Sequence, residues 1–92
     1  MVTIKLSKAI TTTNGEVSEI KLDFDSLSGQ DIINAEKEFT ARGGAGIMKE
    51  NSKMYQAIIA AKLSGVIYDD LLLCSAKDFS EITLQVQNFF YE

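Results

Sequence analysis

No histidine occurs in the 92 residues, which removes the commonest metal ligand and the side chain most often used as a general base near neutral pH. The single cysteine, Cys74, cannot close an internal disulfide. With no histidine to activate it, Cys74 reads as a small apolar residue rather than a nucleophile, and one thiol cannot build a zinc site. The expectation is a protein that is not an enzyme and holds no cofactor and no metal. Proline is absent too, as are low-complexity tracts and repeats, and residues 1–92 read as one domain. No apolar run approaches the ~20 residues of a bilayer-spanning helix, and Met1–Leu6 alternates instead of forming the apolar core of a secretory signal. A cytoplasmic protein with no membrane partner is expected. Positive charge is also scarce: nine Lys and Arg stand against 13 Asp and Glu, a formal charge of −4. That balance argues against nucleic acid as a partner, because its binding depends on clustered basic side chains.

What is present suffices for a small globular domain, since 46% of the residues are apolar and 24% charged, a mixture neither disordered nor membranous. Charge is uneven along the chain. Arg42, Lys49, Lys53 and Lys62 face one acid, Glu50, within 42–62, whereas Asp69, Asp70, Asp78, Glu81 and Glu92 face one base, Lys77, within 69–92. A solvated face is the simpler reading of each group.

Two segments have the period of a half-buried strand: Val2, Ile4 and Leu6, then Ile20, Leu22 and Phe24. Between them Asn14-Gly15 is a strong turn signal, expected as a type I′ turn with positive φ at both residues, and the preceding threonines continue the first strand. An antiparallel hairpin is therefore predicted over 1–25, and the period changes to 3.6 for a helical part over 28–92. Ser28-Gly29-Gln30-Asp31 is a capping box opening a helix over about 29–42 that buries Ile32, Ala35 and Phe39 and ends at Gly43-Gly44. A helix follows between Ile47 and Leu63, or a shorter one capped by Ser52, ending at Ser64-Gly65; its two apolar stripes predict burial on two sides. Leu71–Leu73 suggests a short helical turn. Ser75-Ala76-Lys77-Asp78 is a second capping box, with Asp78 reaching back to the cap, and Phe79, Ile82, Val86, Phe89 and Phe90 form one stripe of the helix it opens. The expected fold class is α+β, an N-terminal antiparallel β-hairpin packed against a bundle of three to four helices. A lone hairpin is marginal in water, so its remaining face or edge should meet the helices or another subunit.

Gly43-Gly44-Ala45-Gly46 superficially suggests a phosphate loop, but it follows a helix and lacks the flanking residues of one; a helix connection is the better reading. The pairs Asp23/Asp25 and Asp69/Asp70 lack the further ligands of a cation site and read as ordinary surface acids. Leu84 and Tyr91 are less bland. They lie opposite the Phe79–Phe90 stripe, beside Ser80, Thr83 and Gln87, and with Phe89 and Phe90 they make the C-terminal helix the expected protein-binding surface. The Met48, Tyr55 and Ile59 stripe is the expected secondary surface, since Met and aromatic residues give adaptable apolar contact.

Taken together, Ile4-Lys5-Leu6-Ser7-Lys8-Ala9-Ile10, Asn14-Gly15-Glu16-Val17 before Ile20-Lys21-Leu22, Ser28–Ile32 leading to Ala35-Glu36, Ala57–Gly65, Leu71–Leu73, and Ala76–Phe79 ending in Val86–Phe90 have a recognisable order and spacing. In that order the whole chain resembles the small tail assembly chaperones of long-tailed bacteriophages and prophages, the group related to the E-type proteins of contractile-tailed phages. It departs from their pattern in having no proline after the first strand. The resemblance implies a non-catalytic protein of the host bacterial cytoplasm, not expected in the mature virion. Its implied partners are the tape measure protein and the tail tube protein, and homo-oligomers are expected. The alternative is a small cytoplasmic phage-encoded adaptor or regulator that binds one folded protein.

Overall fold

The computed structural model describes residues 1–46 and 49–91. The predicted α+β class is what the chain adopts. Strands β1 (Val2–Thr12) and β2 (Gly15–Leu22) form an antiparallel hairpin, followed by helices α1 (Gly29–Ala41), α2 (Lys53–Ser64), the single turn α3 (Tyr68–Leu71) and α4 (Ala76–Phe90). Short 3-10 turns at Phe24–Ser26 and Lys49–Asn51 precede α1 and α2. Phe24 therefore belongs to a turn rather than extending β2, because its ring leaves the strand to stack on Phe89, with ring centroids 4.7 Å apart and planes 9° from parallel.

The hairpin loop is Thr13-Asn14, with Thr12 paired to Gly15. Only Gly15 takes a positive φ, 115°, and Asn14 does not, so the expected type I′ turn is replaced by one in which glycine alone carries the left-handed backbone. Thr12 stabilises this turn: its hydroxyl accepts from Asn14 N–H at 3.2 Å and donates to the Gly15 carbonyl at 2.7 Å.

Register is regular from Val2↔Leu22 to Lys5↔Glu19 and again from Ile10↔Val17 to Thr12↔Gly15. Between these runs Leu6, Ser7, Lys8 and Ala9 stand opposite Ser18 alone, a large bulge in β1. An odd number of extra residues shifts the inward positions of β2 from Ile20 and Leu22, both fully buried, to the half-buried Val17. The bulge also releases the backbone N–H groups of Ser7 and Lys8 from the ladder, and both find a partner in α4.

α2 is the centre of the molecule. Six consecutive residues, Tyr55–Ala60, are buried because α1 packs on one side, α4 on another and β2 across the sheet face. Burial on two sides, expected from the two stripes, is thus present. The shorter of the two helices predicted there is the one that forms, starting after Ser52 and closing at Gly65 with φ 76°. Around it lie Ile4, Ile20 and Leu22 from the hairpin, Ala35 and Phe39 from α1, Leu71, and Ile82 and Val86 from α4. The ring of Tyr55 meets Phe39 edge-on at 5.8 Å and tilts against Phe90 at 5.9 Å.

α1 ends in a full Schellman motif: Gly43 N–H donates to the Thr40 carbonyl and Gly44 N–H to the Phe39 carbonyl, with Gly43 at φ 92°. The residues that superficially suggested a phosphate loop thus terminate a helix. Gly44 has a second constraint, since a Cβ there would lie 2.5 Å from the buried Phe39 ring.

Candidate protein-interaction surface

Of the six described residues among those expected to bind a partner, the structure keeps two at the surface. Leu84 is 47% exposed and Tyr91 53% exposed. They stand on the side of α4 turned away from the buried Ile82 and Val86. Leu84 is free of the core because the stripe that α4 buries is satisfied within the domain. Tyr91 is partly anchored: its hydroxyl donates to Asn51 Oδ1 in the turn before α2. Phe89 and Phe90 are half-buried and committed to the Phe24 and Tyr55 rings. They support the outer face more than they form it.

The secondary surface is corrected. Tyr55 and Ile59 are 1% and 0% exposed, so they are core; burial pushes the Tyr55 hydroxyl up to about 12, with Glu36 and Glu50 adding to the effect. Met48 lies outside the described residues. The reason is physical: a helix with partners on both sides needs two apolar stripes, and from the sequence alone the second stripe looks like exposed surface. Thr83, assigned to the outer face of α4, is also fully buried. It donates to the Phe79 carbonyl at 2.9 Å within its own helix and accepts Lys53 Nζ at 3.2 Å. Gln56 continues this polar seam between α2 and α4, donating to the Glu50 carbonyl at 2.6 Å and more weakly to Gln87 at 3.4 Å.

A second group of exposed apolar side chains was not predicted. Ile67, Leu72 and Leu73, which flank α3, are 56%, 46% and 66% exposed. The signal was present in Leu71-Leu72-Leu73, because a single helical turn can send only one of three consecutive residues inward, and here it is Leu71.

Charged groups around these surfaces are engaged with one another. Arg42 binds Glu38 at 2.9 Å and Asp69 at 3.5 Å, and its guanidinium lies 4.1 Å over the Tyr68 ring. Lys62 and Lys49 approach Glu38 and Glu36 at 3.9 and 3.6 Å. The basic stretch 42–62 is therefore largely neutralised by α1 and α3.

Among the described residues, Asp78 is the one carboxylate that is almost fully buried. Its oxygens accept Ser7 N–H at 2.9 and 3.0 Å, the Ser7 hydroxyl at 3.0 Å and Lys8 N–H at 3.3 Å. Ser75 does cap α4, accepting Asp78 N–H at 3.2 Å. The carboxylate expected to return to that cap instead fills the β1 bulge, because two N–H groups released from the ladder there need an acceptor. The Ser7 backbone bond holds its acidity below the usual carboxylate range, more than burial raises it. Asp78 is thus a structural clamp between hairpin and helix. Cys74, next to this clamp, is half-buried, and burial raises its thiol above the ordinary value. Among the described residues, no helix is long and apolar enough to cross a membrane. Comparison with protein-family models, with curated proteins and with solved structures found no match to this chain.

Proposed function

We propose that this chain is a non-catalytic tail assembly chaperone of a long-tailed phage or prophage, acting in the host cytoplasm on the tape measure protein and on tail tube assembly. The observation that carries the reading is the outer face of α4, where Leu84 and the Tyr91 ring stay exposed on a helix whose buried stripe is already satisfied within the domain. A client of long apolar helices needs such a surface, and the exposed residues flanking α3 supply a second apolar contact area. The order and spacing of the sequence segments supply the assignment to tail assembly in particular.

The test is co-expression with a tape measure protein from the same phage or prophage. The chain should keep that protein soluble, and Leu84→Ser combined with Tyr91→Ser should cut the soluble client severalfold while the circular dichroism spectrum stays native. Tyr91→Phe, which removes only the bond to Asn51, should retain the activity. Undiminished client solubility with the folded double variant would refute the α4 surface, and a client that stays insoluble with the native chain would refute the function.

A further inference from the structure

The two edges of the hairpin are not equivalent. Along β1, α3 and α4 pack against the strand, and its released N–H groups at Ser7 and Lys8 are taken by Asp78. β2 hydrogen-bonds to β1 on one side, and among the described residues no further strand joins its other edge. An unpaired strand edge is a template for another strand. We propose that β2 pairs antiparallel with β2 of a second copy, making a four-stranded sheet ordered β1-β2-β2-β1 across a two-fold axis.

The charges of β2 select this occupant and its register. A two-fold axis perpendicular to the sheet sets one residue opposite itself and keeps the helices of both copies on the same side. Centring it on Glu19 opposes Glu19 to Glu19, and centring it on Lys21 opposes Lys21 to Lys21. Centring it on Ile20 sets Glu19 opposite Lys21 of the second copy, twice. Both side chains are exposed, 40% and 61%, and on the same outward side, where they now approach each other at only 3.9 Å within one strand. In this register Ser18–Leu22 of each copy pair, a length ordinary for a strand. Charges on an edge usually deter pairing, but this alternation penalises the neighbouring registers centred on Glu19 and Lys21 and favours the one centred on Ile20. The pairing is independent of what the outer face of α4 binds, and it places self-association on the hairpin rather than on that helix.

Analytical ultracentrifugation of the purified chain and its variants tests the proposal. The native chain should dimerise. Glu19→Lys alone and Lys21→Glu alone should each raise the dimer dissociation constant at least about tenfold, since two attractive pairs become repulsive. An equimolar mixture of those two variants should form a heterodimer, and the double variant Glu19→Lys with Lys21→Glu should recover the native dissociation constant. The double variant places lysine opposite Lys5 within its own hairpin, as Glu19→Lys does, so its recovery separates pairing from folding. A chain that stays monomeric at millimolar concentration overturns the proposal. So does a dimer indifferent to the single variants, or single variants that fail to pair with each other while each keeps a native circular dichroism spectrum.

Discussion

α1 and α4 both open on Ser-x-x-Asp, and at both the serine oxygen accepts the backbone N–H of the acid three residues on. At α1 the Asp31 carboxylate turns back and accepts Ser28 N–H at 3.0 Å, closing a reciprocal box near the surface. At α4 the Asp78 carboxylate turns outward from its helix and accepts from Ser7 and Lys8, 71 and 70 residues away in sequence. Four residues with the same local pattern therefore end one helix start by themselves and tie the other to a strand. The difference lies in the neighbour: the β1 bulge brings two N–H groups released from the ladder up to Asp78, whereas among the described residues Asp31 accepts only from its own cap.

Replacing the acids in parallel should expose this contrast most strongly. Asp78→Asn swaps one carboxylate oxygen for an amide that cannot accept, setting a donor against the Ser7 and Lys8 donors. It should give the largest fall in Tm of the series, with faster amide hydrogen exchange at Ser7 and Lys8. Asp31→Asn should lower Tm much less and leave exchange in β1 unchanged. Equal effects of the two substitutions would remove the distinction between the two boxes.

Acid should separate the same pair next. Both carboxylates are held below their usual range, Asp78 chiefly by Ser7 N–H and Asp31 chiefly by Ser28 N–H. A group whose folded-state value is depressed stabilises the fold fully above the unfolded value and loses that contribution as pH falls through the folded value. Stability should thus be flat for these groups above about pH 4 and decline below it. Denaturant midpoints measured from neutral pH downward should show a shallower decline in Asp78→Asn than in Asp31→Asn, because the buried clamp carries more of the acid sensitivity. The smallest effect expected is Ser28→Ala, about 1 kcal/mol of stability from one exposed cap, read from a urea midpoint. A loss several times larger would mean that the α1 box is coupled to the core.

Much of the fold was legible because its signals are local. Period-2 runs marked the strands, Gly43 and Gly65 marked helix ends through the positive φ that only glycine adopts cheaply, and the double stripe of α2 marked burial on two sides. The surface was less legible. Leu84 and Tyr91 could be placed outward because α4 has one clear apolar stripe, but Tyr55 and Ile59 could not be told from surface without knowing that α2 is packed on several sides by other elements. Thr83 was misplaced for a related reason: a hydroxyl that bonds its own helix backbone can be buried without a visible apolar signal.

By itself, then, the sequence determined the kind and order of the main elements, where α1 and α2 stop, and the apolar stripe with which α4 joins the core. Those properties depend on backbone propensity and on side chains a few residues apart. Tertiary structure decided the β1 bulge, the destination of the Asp78 carboxylate, which stripe of α2 meets which helix, and which edge of the hairpin stays open. Each of these depends on groups brought together from distant parts of the chain, where a donor released in one element must find its acceptor in another.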